Sequence, residues 1–372
     1  MKRVTIAARA DYTKKLDDLS FKFHSLNNIY WDESAMYQFS MDEILKMEAA
    51  TNEVYQMCLK AVQHVIDNDL YSEFNIDPIL IDSIVESWNE EHFSVYGRFD
   101  FGYDGENFKL FEFNADTPTS LYEAAVVQWY WLQDIDKSKD QWNSIHEKLI
   151  DYWNSIRGYL NGKILYFSCV KDSIEDFTTV EYLRDTAHQS GLNTKFIYIS
   201  DIGFNGESFV DLENCPIDYV FKLYPYEWMA NEEFAPNLDK AVWIEPAWKA
   251  ILSNKNILPL LWELNKGHKN LLECYKDSPK GLTKYAKKPI YSREGANIEI
   301  ITNGNTVQQT SGDYGEEGYI YQELFNLPNF DNNYPIIGSW MIGGEAAGMG
   351  IREANTLITD NLSRFVPHLI IN

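Results

Sequence analysis

This chain has no CxxC pair, no run of lysine or arginine and no long apolar stretch. Its four cysteines, Cys58, Cys169, Cys215 and Cys274, are scattered, which excludes a clustered zinc site and a disulfide framework and suits a reducing compartment. With a formal charge of −24 and no basic run to meet phosphates, nucleic acid is not an expected partner. No segment approaches the ~18 apolar residues of a membrane span. The start, MKRVTIAARADY, returns to charge too soon for a secretory signal. A cytoplasmic location away from membranes is therefore expected. There is no G-x-G-x-x-G and no G-x-x-x-x-G-K-[ST], so neither a dinucleotide fingerprint nor a P-loop can be read. The histidines are dispersed and no serine or cysteine stands in a nucleophile motif, which leaves hydrolase triads without support.

What is present is a packed globular composition. Hydrophobic residues make up 45% of the 372 residues and aromatics 15%, enough for two or three lobes with a sizeable core. An acidic field of this size concentrates cationic ligands such as polyamines, although acidity serves plain solubility as well.

Residues 40–68 predict a helix. Ser40 and Glu43 form a capping-box pattern, and Ile44, Leu45, Met47, Val54, Met57, Cys58, Ala61 and Val65 supply an apolar stripe. Residues 77–90 predict a second helix with Pro78 in its first turn. Residues 119–133 predict a buried helix, and an amphipathic stretch follows around 137–160. Strands at 163–168 (KILYFS), 194–199 (TKFIYI) and 218–223 (DYVFKL), with a helix at 175–191, suggest a small parallel sheet. A Pro- and Tyr-rich stretch at 224–247 predicts a link between lobes, and 256–372 mixes short strands with turns.

The strongest local signal is a hairpin. Residues 98–104 (RFDFGYD) and 108–114 (FKLFEFN) alternate polar with aromatic, interrupted only at Leu110–Phe111, around the turn sequence DGEN. With the turn centred on Glu106, Asp100 faces Glu112 and Arg98 faces Asn114. Two carboxylates and an amide oxygen then converge beside an arginine, a cradle for magnesium and a phosphate. A one-residue slip abolishes that arrangement and leaves an amphipathic hairpin with a solvated polar face.

Three further segments have a functional and an ordinary reading. Lys288 ends a strand before the loop 292–298 (SREGANI), which serves either as an anion nest or as a plain turn. Residues 320–325 (IYQELF) place Gln322 and Glu323 on a strand that offers an adenine edge its backbone, or simply exposes two polar groups. The five glycines of 338–350 (GSWMIGGEAAGMG) allow close backbone approach, a mobile loop or a tight β-turn. The following Arg352 and Glu353 then face phosphate or form a surface ion pair.

Five ordered blocks, 97–101 (GRFDF), 109–125 (KLFEFNADTPTSLYEAA), 254–262 (NKNILPLLW), 288–290 (KPI) and 338–353 (GSWMIGGEAAGMGIRE), resemble glutathionylspermidine synthetase, especially its stand-alone acid–amine ligase relatives. The resemblance spans nearly the whole chain. It implies an α/β (α+β) permuted ATP-grasp fold with a small Rossmann-like pre-ATP-grasp lobe. The expected division is a helical and hairpin lobe at 1–160, the small β-α-β lobe at 161–250 and a nucleotide-binding lobe at 251–372. It implies ATP with Mg2+, two ions, held by Asp100, Glu112 and Asn114. Arg98 is expected beside the γ-phosphate and the acid's carboxylate, with Thr117 and Thr119 at the acid substrate. Lys255 and Lys288 are expected on the nucleotide phosphates, and Gln322 with Glu323 near adenine. Arg352 is expected at the charge developing during transfer, and Glu175 and Asp176 near the amine, Glu175 as base.

The implied reaction joins a carboxylic acid, a peptide among the acids it admits, to a polyamine or similar cation through an acyl phosphate. The remaining readings are phosphoryl transfer without an amine acceptor and a non-catalytic nucleotide or polyamine binder. The partners are small molecules, and a homodimer is common among acidic ligases of this kind. The chain departs from the family around 222–227 (KLYPYE), with Leu223 where a hydroxyl is expected, and leaves no room for the amidase domain of bifunctional members.

Overall fold

The computed structural model describes residues 1–25, 29–360 and 362–371, a mixed α/β arrangement with five sheets among those residues. The first long helix spans Met41–Asp67, and its capping box is formed through Ser40 and Glu43. Ile44, Met47, Val54, Met57, Cys58, Ala61 and Val65 are buried along it. Leu45 is the exception: it is 56% exposed, because one helical step past Ile44 turns a side chain about 100° away from the core. Strand Ala35–Ser40, not expected from the sequence, leads directly into this helix. The second helical segment divides into a short turn, Pro78–Leu80, and the helix Ile81–Asn89.

The parallel sheet exists and is larger than expected. Its order is Val242–Ile244, Tyr219–Leu223, Leu165–Cys169, Thr194–Tyr198, all parallel, with helix Ile174–Gln189 connecting the last two. The stretch 224–247 is therefore not a bare link. Its end is the fourth strand, a segment of three residues too short to show a period.

A central antiparallel sheet runs in the order Arg364–Phe365, Glu345–Ala354, Tyr334–Ile342, Tyr96–Tyr103, Phe108–Asn114. A second antiparallel sheet runs Cys274–Lys276, Tyr319–Glu323, Lys284–Pro289, Glu299–Thr302, Asn305–Gln309. Strand His368–Ile371 returns to pair with Ala35–Ser40. No helix among the described residues is long and apolar enough to cross a membrane.

The glycine-rich segment is the hairpin of the central sheet, not a mobile loop. Gly343 and Gly344 turn it with φ of 58° and 86°. Gly338 admits Arg98, since a Cβ there would stand 2.8 Å from the Arg98 Cδ. Glu353 forms no surface pair. It is fully buried and accepts from Arg3 Nε at 2.6 Å and Arg364 Nη2 at 2.7 Å.

The helix expected at 119–133 starts later and is irregular. A π-helical turn at Glu123–Val127 leads into an α-helix at Gln128–Ile135. Thr119 and Ser120 lie before it, and Ser120 has φ of 66°. The helix is only half buried, with Trp131 and Leu132 inside but Trp129 and Tyr130 exposed.

Candidate active site

The hairpin of Tyr96–Tyr103 and Phe108–Asn114 has the register Asp100 opposite Glu112 and Arg98 opposite Asn114. A β-bulge produces it. On the loop side Phe101 faces Leu110, and Phe111 is the extra residue before Glu112 meets Asp100. The interruption of alternation at Leu110–Phe111 is that bulge.

Arg98 and Asp100 form a bidentate pair, Nε to Oδ1 at 2.6 Å and Nη2 to Oδ2 at 3.0 Å, both side chains nearly buried. The third nitrogen, Nη1, donates to the Thr119 carbonyl at 2.7 Å. Asn114 Nδ2 lies 3.4 Å from Asp100 Oδ2 and 3.3 Å from Glu112 Oε1. These groups suit a hard cation: two carboxylates are already together, and turning the amide over exchanges its NH2 for an oxygen at the same place.

Two lysines approach from elsewhere in the chain. Lys255, just before helix Ile257–Leu264, lies 3.2 Å from Glu112 Oε2. Lys288, near the end of strand Lys284–Pro289, donates to Gln322 Oε1 at 2.7 Å and to the Phe111 carbonyl at 3.1 Å. Burial pushes the Glu112 carboxyl up, but the charges of Lys255, Lys288 and Arg98 outweigh it and hold the group well below the usual carboxylate range. Burial pulls the Lys288 ammonium down to about 8 against the opposing pull of Glu112.

A cavity of about 260 Å³ opens between the central sheet and the second antiparallel sheet. Arg98, Asp100, Glu112, Asn114, Thr117, Thr119, Asp176, Lys288, Gln322, Glu323 and Arg352 all line it. Ile300, Leu324, Ile336 and Ile358 add apolar lining suited to a flat ring. Gln322 is buried, which overturns the reading of that strand as a solvent-facing edge, whereas Glu323 is exposed at the rim.

Glu175 stands apart. It is not among the cavity-lining residues but sits half-buried on the first turn of helix Ile174–Gln189. Burial raises its pKa, with Thr119 and Arg352 opposing. Burial together with Glu175 pushes neighbouring Asp176 up to about 6.

Two groups of the site carry no sequence signal of their own. Arg293 Nη1 donates to Thr117 Oγ1 at 2.7 Å, and its other arm pairs with Glu227. It belongs to the loop after Lys288, whose glycine is the more visible feature. Glu123 is fully buried behind the site and accepts from the Tyr30 hydroxyl at 2.6 Å. Its signal, a carboxylate two residues after an apolar helix start, is too common to single out.

The family model for glutathionylspermidine synthase pre-ATP-grasp matches residues 3–371. A Haemophilus influenzae protein provisionally named acid–amine ligase is 42% identical over the full length of both chains. Trypanothione synthetase of Crithidia fasciculata is 28% identical over 87% of this chain, which spans 54% of that longer protein. Among solved structures, a glutathione synthetase-like effector of Globodera pallida superposes with a TM-score of 0.56 at 11% identity, covering 98% of each chain, a likeness of fold.

Proposed function

This chain belongs to the glutathionylspermidine synthase pre-ATP-grasp family, and from that premise we propose that it is an ATP-dependent ligase joining a carboxylic acid to an amine through an acyl phosphate. The observation that supports it best is the Glu112 carboxylate set opposite Asp100 across the hairpin and 3.2 Å from the Lys255 ammonium, beside a cavity that also takes in Arg98, Lys288 and Arg352. The proposed fold is a permuted ATP-grasp, since the carboxylates of the hairpin precede the lysines in the chain. A small lobe at 161–250 and a homodimeric assembly belong to the same reading, whereas the expected lobes at 1–160 and 251–372 are joined, Tyr334–Ile342 pairing with Tyr96–Tyr103 and His368–Ile371 with Ala35–Ser40.

In this reading Asp100, Glu112 and Asn114 hold two magnesium ions, which supply neutralising charge to the phosphates when bound. Lys255 and Lys288 grip the nucleotide phosphates, and Gln322 and Glu323 flank adenine in the cavity. The acid's carboxylate, oriented by Arg98, Thr117 and Thr119, attacks the γ-phosphorus of ATP. The P–O bond to ADP breaks and ADP leaves with the electron pair. Arg98 and Arg352 then balance the negative charge spread over the transferring group, where charge-assisted bonds are worth most. The amine, drawn by Asp176 and Glu175, attacks the acyl carbon and phosphate departs. A polyamine or similar cation suits that acidic wall, and the apolar Leu223 lining the cavity favours an acid other than one read by a hydroxyl there.

The test is ADP and phosphate release with ATP–Mg2+ against a matrix of acids, peptides included, and polyamines, products read by mass spectrometry with Glu112→Ala as blank. An amide formed only when both partners are present is the expected result. Phosphate release that needs no amine, with water excluded as acceptor, would replace ligation with simple phosphoryl transfer. Nucleotide binding without turnover across the matrix would leave a binding role instead.

A further inference from the structure

The bulge that sets Glu112 opposite Asp100 lies on Phe108–Asn114, an edge strand of the central sheet. Its main-chain groups there are bonded from the second antiparallel sheet and from the segment leading into that sheet. Gln322 Nε2 donates to the Leu110 carbonyl at 3.0 Å, and Lys288 Nζ donates to the Phe111 carbonyl at 3.1 Å. The Leu110 N–H donates to the Asn270 carbonyl at 2.9 Å, and Asn270 Nδ2 donates to the Phe108 carbonyl at 3.0 Å. Gln322 Oε1 in turn accepts from Lys288 at 2.7 Å, so both ends of the Gln322 amide are engaged by the protein and its orientation is fixed. The extra residue is received by the same sheet. The Phe111 ring meets Phe325 edge to face, with centroids 6.2 Å apart, and lies over Gly102, where a Cβ would stand 2.5 Å from Phe111 Cζ.

A bulge leaves its extra residue outside the ladder, so the pairing around it is the least secured part of a hairpin. A slip of one residue would set Phe111 opposite Asp100 and turn the Glu112 carboxylate to the other face. Gln322 and Lys288 are almost wholly buried, as is Leu110. A carbonyl buried there without its donor would bear the full cost of desolvation, which exceeds the net worth of the bond itself.

We infer that Gln322 is a positioning residue for the metal carboxylates: with Lys288 it clamps the bulge at Leu110–Phe111 and so keeps Glu112 opposite Asp100 and beside Asn114. This role rests on the ligase reading for its metal and on the hydrogen bonds for its clamp. An ammonium has three donors, and the clamp takes two of those on Lys288, one to Gln322 and one to Phe111. The third is left for a phosphate oxygen, so the lysine expected on the nucleotide also secures the register of the metal site. The Gln322 bond to Leu110 competes with no phosphate and holds the bulge with the nucleotide present or absent.

Two substitutions separate a clamp from a contact to the base. Gln322→Met keeps the length of the side chain and removes both of its bonds. Gln322→Glu keeps the acceptor for Lys288 but sets an oxygen where the Leu110 carbonyl needs a donor. Hydrogen–deuterium exchange of the whole protein, read by mass spectrometry without nucleotide or metal, needs no substrate. Both variants are expected to exchange residues 108–114 about fivefold faster or more, as the loss of one buried hydrogen bond implies. Residues 165–169, in the parallel sheet, should keep the wild-type rate. Unchanged exchange at 108–114 overturns the clamp whatever the enzyme's substrates prove to be. Gln322→Met carries this measurement should the added charge of Gln322→Glu prevent folding.

The second measurement is Mn2+ binding, read by electron paramagnetic resonance, to the protein with adenylyl imidodiphosphate. Gln322→Met is expected to weaken Mn2+ about 10-fold or more, the usual loss when a group that orients metal ligands is removed. The Kd of the nucleotide analogue without metal should change far less. The reverse pattern, Mn2+ unchanged and the analogue weakened, would make Gln322 a contact to the base and overturn the inference. A wild type that holds Mn2+ no tighter than the free analogue does would overturn the metal site and this role together, while the exchange rates still decide whether the bulge is clamped.

Discussion

Lys255 Nζ lies 3.2 Å from Glu112 Oε2, joining residues 143 positions apart in the chain through a single ion pair. The contact brings the hairpin together with the segment before helix Ile257–Leu264, so one carboxylate faces both the proposed metal and the proposed phosphate grip. Glu112→Ala should therefore lower turnover by at least ~100-fold, by analogy with the loss of one electrostatic stabiliser. Steady-state kinetics with a folding control by circular dichroism checks this; near wild-type turnover would remove Glu112 from the site.

Arg352 lines the same cavity but is expected to meet charge that grows during transfer. Arg352→Ala should lower kcat more than it weakens ATP binding, because a group matched to the transition state contributes least to the ground state. Comparing kcat with a nucleotide Kd from calorimetry separates the two, and an effect confined to binding would argue for a simple phosphate clamp.

Burial disfavours the charged form of Lys288 and pulls its ammonium down to about 8. A bound phosphate favours that charged form, so binding of ATP–Mg2+ between about pH 8 and 9 should draw in a proton. Below about pH 7 the lysine is already charged and this uptake should vanish. Calorimetry in buffers of different ionisation enthalpy reads the proton number directly, and Lys288→Met should abolish it.

Two glycines separate site geometry from stability. A Cβ at Gly338 stands 2.8 Å from the Arg98 Cδ, and one at Gly343 stands 2.5 Å from the Tyr152 Cδ2, where φ is also 58°. Both Gly→Ala changes should destabilise by about 1–3 kcal/mol through overpacking or strain. Only Gly338→Ala displaces Arg98, so it alone should lower kcat of the remaining folded protein, by about 10-fold or more. Equal kcat in the two variants would contradict this.

His368 is fully buried, and burial holds its imidazole down to about 3. Its unfolded pKa is about 6.5, so the unfolded chain binds a proton that the folded one refuses. Stability should then fall as the pH drops below about 6.5, and continue to fall towards 3. Thermal unfolding at pH 7, 6 and 5 should show a shallower decline in His368→Leu, whatever that variant loses at pH 7.

Much of the hairpin was legible in the sequence. Alternation placed Asp100 with Arg98 and Glu112 with Asn114 on one face, and the DGEN turn set the pairing within one residue. The decisive residue was the extra Phe111, since a regular ladder beyond the turn would have set Asp100 opposite Phe111 instead. The sequence showed that break without saying which way it would resolve. Leu45 and the strand Val242–Ile244 were misread for the opposite reason: composition there looks like a stripe or a link, and only neighbours decide what is covered.

By itself the sequence determined the capping of the first long helix, the β-α-β order of the small sheet and the residue types able to hold a metal and a phosphate. Those follow from local rules of period, cap and turn, which act over a few residues. The tertiary structure alone decided that Lys255 would meet Glu112, that Arg293 would reach Thr117 and that Glu123 would be buried against the Tyr30 hydroxyl. Such contacts arise where strands distant in the chain pair and bury charge. Their energies depend on the packing and low dielectric that surround them, which no short stretch of residues encodes.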